Sequence, residues 1–201
     1  MKKLLLLLGI PVVLFGVVML MAIGTYNGLV NRSQAVDGAW AQVENVYQRR
    51  ADLVPNLVNT VSGAADFEKS TLTAVTNARA SIGSIKLPAG TSPDASQLAA
   101  FEGAQANLGS SLSRLLVSVE RYPQLTATAA FRDLQAQLEG TENRIAVERG
   151  KYNTIVQDYN AAIKRFPAVM VAGLFGHEAR VYFKADSGAE IAPTVDFSAK
   201  P

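Results

Sequence analysis

Apolar side chains recur every seven residues between positions 36 and 82. Trp40, Tyr47, Val54, Val61, Val75 and Ile82 form one row with Glu68, and Val36, Val43, Leu57, Ala64 and Ala78 form a second with Arg50 and Thr71, four residues earlier. Two rows offset by four residues are neighbours on one helix face. The pattern therefore predicts one helix of about 55 to 60 residues, roughly 85 Å long, that must lie against other helices to cover its seam. Pro55 and Gly63 are the two weak points, since proline removes the bond to the carbonyl four residues back and glycine favours a helix end. The count of seven runs through both, so a kink is expected at Pro55; a break at Gly63 would add one more helix.

Two further stripes follow. The segment KLPAGTSPDASQ (86–97) lacks periodicity and is expected to be a loop. In it Ser92, Pro93 and Asp94 resemble a helix start: a capping hydroxyl, a proline at the first position and an acid in the first turn. Leu98, Phe101, Gln105, Leu108, Leu112, Leu115, Val119 and Tyr122 then keep helical spacing up to Pro123. A third stripe runs from Phe131 through Leu134, Leu138, Thr141, Ile145, Glu148, Tyr152, Ile155 and Tyr159 to Ala162 and Phe166, and Pro167 closes it.

Residues 4–23 carry no charge and are long enough to cross about 30 Å of hydrocarbon. A cleaved signal peptide is the rival reading, but its apolar core is usually shorter. Lys2 and Lys3 flank the N-terminal side, while the first base beyond the segment, Arg32, is soon balanced by Asp37. Positive charge stays on the cytoplasmic side, so the body is expected outside it, in the periplasm. The expected fold is all-α: a single-pass transmembrane helix at 1–24 continuing into an antiparallel up-down, coiled-coil-like bundle at 25–176. It has three long helices, or four with the Gly63 break, and a short extended tail at 177–201. The apolar segment 168–175 is too short to span, and is expected to cover an open end of the bundle in preference to touching membrane or another copy.

The quoted residues also carry a resemblance. YNGLVNRSQAVDGAWAQVENVYQRRADLVPNLVNTV (26–61), ARA (78–80), ENRIAVERGKYN (142–153), DYNAAIKRFP (158–167), AGLFG (172–176) and APTVDF (192–197) are similar to the LemA family of bacterial membrane proteins. Where many members have a His-Glu pair, this chain has Phe67 and Glu68. The resemblance implies a helical bundle on a membrane anchor and little chemistry. It also implies an association with membrane proteases or membrane-remodelling systems.

Charge alters the picture only by exclusion. The formal net charge of +2 is carried by Lys2 and Lys3, so the body is balanced and lacks the basic stripe that nucleic acid requires. With no cysteine there is no disulfide, thiolate nucleophile or lipid-modified N-terminal cysteine. His177 is the single histidine, and His177-Glu178 without a second histidine does not make a metal site. No serine stands in a hydrolase motif, and no phosphate-binding glycine loop is present. No catalytic residue, metal or cofactor is therefore expected.

Arg50 and Glu148 stand out because each falls on an apolar stripe, where an unpaired charge is costly. The plain expectation is that they pair with one another, or with Glu68 or Arg144, and set helix register. The functional alternative is a binding cleft of Arg50, Pro55 and Asn56 beside a carbonyl freed by the proline. Trp40, with Tyr26, Leu29 and Val30, is expected to be left uncovered and to join copies into a homo-oligomer. These readings lead to a non-enzymatic, membrane-anchored scaffold of the bacterial envelope that self-associates or organises other membrane proteins in the inner membrane. A sensory module that presents a ligand or peptide is the alternative.

Overall fold

The computed structural model describes residues 2–63 and 67–184, with side chains from residue 9 onward. The expected tail beyond residue 184 lies outside the described residues. The chain forms α1 (Lys2–Ser62), α2 (Lys69–Gly83), α3 (Ala95–Val119), a single turn α4 (Pro123–Thr126), α5 (Ala129–Ala162) and α6 (Ala168–Phe175), with no strand among the described residues.

α1 has two environments and no interruption between them. From residue 10 to residue 23 no large apolar side chain is less than 51% exposed, so this part is apolar on every side and is not covered by any of the described residues. Burial begins at Leu29 and continues through Val36, Val43, Val54, Leu57 and Val61 on the sevenfold rows. The helix passes through Pro55 without ending.

At Gly63 the expectation of one long helix gives way to its alternative. α1 stops at Ser62, and α2 packs instead against α3 and α1. The seven residues from Ser62 to Lys69 equal about two helical turns, so the connection preserves the count of sevens without preserving the helix. Phe67 is buried with its ring 5.2 Å from that of Tyr122, and Val75 and Ala78 join Leu57, Leu108 and Leu112 in one core cluster. Glu68 is exposed in the connection and is not a seam residue.

The stripe on α3 is buried from Leu98 to Val119 as expected, but its cap is two residues later, at Asp94 in place of Ser92. Asp94 accepts from the Ser96 and Gln97 backbone N–H groups at 2.8 Å each, and Gln97 reaches back to the Asp94 N–H at 3.0 Å, completing a capping box. Ser92 is occupied elsewhere: its N–H donates to Asp37 Oδ1 at 2.9 Å. The α5 stripe is buried at Phe131, Leu134, Leu138, Thr141, Ile145, Tyr152 and Tyr159, but Glu148 and Ile155 are only half-buried, with Val156 buried beside Ile155, and Phe166 lies beyond the helix and is 80% exposed.

A second core cluster joins Trp40, Tyr47, Phe101, Tyr152, Tyr159 and Phe183 near the end that adjoins the apolar part of α1. Trp40 is fully buried, with ring centroids of Phe101, Tyr152 and Phe183 at 5.6, 5.8 and 5.9 Å. This overturns the expected role of Trp40 as an uncovered contact, because α3, α5 and the extended segment supply its partners within the chain. Leu29 is covered as well.

Candidate functional site

One group of buried polar residues, Arg50 and Gln105, lies at mid-body. Arg50 is 4% exposed; it donates from Nη1 to Glu142 Oε1 at 2.7 Å and from Nη2 to the Gln105 carbonyl at 3.1 Å. The Gln105 side-chain oxygen also accepts from Nη2, and the guanidinium lies 5.2 Å from the centre of the Tyr47 ring. One charge on α1 thereby ties α3 to α5. Arg149 repeats the tie nearer the apolar part of α1, reaching Glu102 at 3.2 Å. Glu148 is not Arg50's partner: it pairs with Lys151 at 2.8 Å on its own helix. The seam charge is compensated as expected, but by Glu142.

Pro55 and Asn56 are both exposed on α1. Proline has no N–H for the carbonyl of Ala51, and Arg79 of α2 donates Nε–H to that oxygen at 2.9 Å. The freed acceptor is therefore filled from within the fold. Asn56 turns its own carbonyl to Thr60 Oγ1 at 2.8 Å. Arg50, Pro55, Asn56, Glu148 and Trp40 do not converge on one cavity.

Two shallow clefts flank the network and share Tyr47 and Gln105. One, of about 290 Å³, is lined by Glu44, Ala51, Arg79 and Phe101 among others; the other, of about 220 Å³, by Arg50, Glu102, Glu142 and Arg149. Burial pushes the Glu44 carboxyl and the Tyr47 phenol above their ordinary ranges. The acids of the second cleft face arginines at salt-bridge distance, an arrangement that holds helices together.

A second set of polar residues was missed by the stripes. Asn153 accepts the Phe183 N–H at 2.9 Å and donates to its carbonyl at 3.0 Å; Asn160 does the same for Arg180 at 2.8 Å each. Each asparagine gives an extended segment the bonds that a neighbouring strand would give. Seven residues of helix rise about 10.5 Å, and three residues of extended chain span about 10 Å, so the two registers match. Tyr152 Oη adds a bond to the Val181 carbonyl at 3.2 Å, and Tyr159 Oη lies 3.2 Å from His177 Nδ1. The signal was a Tyr-Asn pair repeated after seven residues, at 152–153 and 159–160. Arg180 then reaches Ser92 and Ser33 Oγ at 3.2 Å each, with the buried Asp37 at 3.8 Å.

The pattern of the LemA family matches residues 39–197. The chain belongs to the LemA family. The match includes Arg50, Glu142 and both Tyr-Asn pairs, whereas Ser33 and Asp37, which face Arg180, lie before it. Among curated proteins it is similar to magnetosome protein MamQ 2 of Paramagnetospirillum magneticum, 27% identical over 175 residues, covering 79% of this chain and 64% of the relative. MamQ of Magnetospirillum gryphiswaldense is 25% identical over 174 residues, with the same shares covered. The chain thus spans less than two thirds of the length of these relatives. Family and apolar N-terminal helix together make this a membrane-associated protein.

Proposed function

We propose that this LemA-family protein is a non-enzymatic scaffold anchored in the bacterial inner membrane, which organises membrane partners or copies of itself. The observation that carries the reading is α1, one helix that leaves an apolar span and becomes the central member of the body. Such a rod couples whatever happens in the membrane to the body rigidly, and the buried charges serve its packing. In this reading the helices alternate in direction, an arrangement supported by Trp40 lying beside Tyr152 while Arg50 lies beside Glu142. Lys2 and Lys3 favour a cytoplasmic N-terminus and a periplasmic body. Similarity to magnetosome proteins is compatible with a structural task in a membrane-bounded setting. Self-association runs through the uncovered span, where Gly9 and Gly16 allow close approach, and not through Trp40.

Extraction in mild detergent, with mass determination and identification of co-purifying proteins, tests the proposal. An assembly larger than one chain, with dimers from Val13→Cys or Leu20→Cys, both exposed in the span beside Gly9 and Gly16, oxidised in membranes, supports it. A lone monomer carrying a small molecule would overturn it in favour of a ligand-presenting module. Orientation is tested with Thr91→Cys, exposed in the loop before α3: an impermeant thiol reagent should label it in spheroplasts.

A further inference from the structure

α6 buries only one of its faces. Val171 and Ala172 pack into the membrane-proximal core, whereas Met170 and Leu174, on the opposite face, are 66% and 79% exposed. Val169 and Phe175 are also exposed, and Phe166 stands out just before the helix. A short helix that is apolar on both sides is anomalous in water.

Its position accounts for the composition. The Phe175 ring lies 4.6 Å from that of Tyr26, which is three residues past the end of the apolar span, about 4.5 Å further along α1. The span therefore holds α6 at the level where hydrocarbon gives way to headgroups. Lys164 and Arg165, both exposed, immediately precede Phe166. A base pair followed by an apolar face is what an interfacial helix offers to a surface containing anionic lipid. A second copy is a poorer occupant, because one eight-residue helix face offers far less than the roughly 800 Å² per partner of a stable interface.

We infer that α6 is a second membrane contact: a monotopic helix whose Phe166, Met170 and Leu174 face dips into the lipid interface beside the span and seats the body on the bilayer. The inference rests on the span being in the membrane, and the experiment separates the two. The chain has no cysteine, so single variants Leu14→Cys, Met170→Cys, Leu174→Cys and Asn107→Cys each carry one environment-sensitive fluorophore. The full chain is reconstituted in vesicles of phosphatidylcholine and phosphatidylglycerol, with and without nitroxide-labelled lipid.

Labels at 170 and 174 are expected to emit at shorter wavelength than the label at 107 and to lose emission to lipid nitroxide, as the label at 14 does. Quenching at 14 with watery, unquenched signals at 170 and 174 would overturn the inference and leave the anchor standing. Apolar but unquenched signals at 170 and 174 would also overturn it, in favour of a protein partner. No quenching at 14 would remove the anchor and the inference together.

Discussion

Arg79 donates its Nε–H to the carbonyl of Ala51, the acceptor that Pro55 strands four residues along α1. A proline in the longest helix is thus matched by an arginine on the next one. Arg79→Leu should cost about 1.5 to 3 kcal/mol, the usual range for a charged hydrogen bond. In a Pro55→Ala background the restored N–H takes over the carbonyl, and the same replacement should cost well under half as much. Thermal unfolding in detergent, followed by circular dichroism, measures both; equal costs in the two backgrounds would show that Arg79 acts elsewhere.

The Arg50–Glu142 pair is lopsided, with side-chain exposures of 5% and 49%. Removing Glu142 leaves a buried guanidinium short of its counter-charge, whereas removing Arg50 leaves an acid that water can reach. Glu142→Leu should therefore destabilise by about 3 kcal/mol and Arg50→Met by about half that. The reverse order in denaturant titrations would mean that Arg50 matters for packing and not for charge.

Asn153 and Asn160 are the pins of the extended segment. Replacing either with Leu removes two backbone bonds, and amide exchange at Arg180 and Phe183 should accelerate together with proteolysis after Lys184. Unchanged exchange at Phe183 in Asn153→Leu would show that the aromatic contacts with Trp40 and Tyr152 suffice.

Alkali should loosen the body. Burial raises the phenols of Tyr47, Tyr152 and Tyr159 above the ordinary value of about 10. The folded form then holds protons that the unfolded chain gives up, so their stabilisation is complete below pH about 10 and is lost as the pH rises through the folded values. Melting temperature should fall as the pH rises above about 10. Tyr47→Phe, which keeps the ring against Phe101 and removes the ionisable group, should make that fall shallower.

Periodicity made the helices legible because each has one buried stripe. It did not give the break at Gly63, since a connection worth two turns leaves the pattern in phase. Nor did it give Arg50's partner. With Trp40 beside Tyr152 and Arg50 beside Glu142, Glu148 comes level with Glu44, six residues too early on α1. Register between helices depends on connection geometry that a stripe does not record. The cap at Asp94 was misplaced for a tertiary reason, the use of Ser92 by Asp37 and Arg180. The Tyr-Asn repeat was visible but looked like ordinary stripe, because nothing nearby in sequence announced the segment it holds.

Mechanically, the unbroken α1 is a lever. About 39 of its residues extend past the apolar span, an arm of roughly 60 Å whose far end would swing by about 10 Å for each 10° that the span tilts. Tilt follows the match between apolar length and bilayer thickness. With the span in a bilayer, as proposed above, a change of a few ångströms in the membrane would be converted, without any hinge, into a displacement several times larger at the connection between α1 and α2.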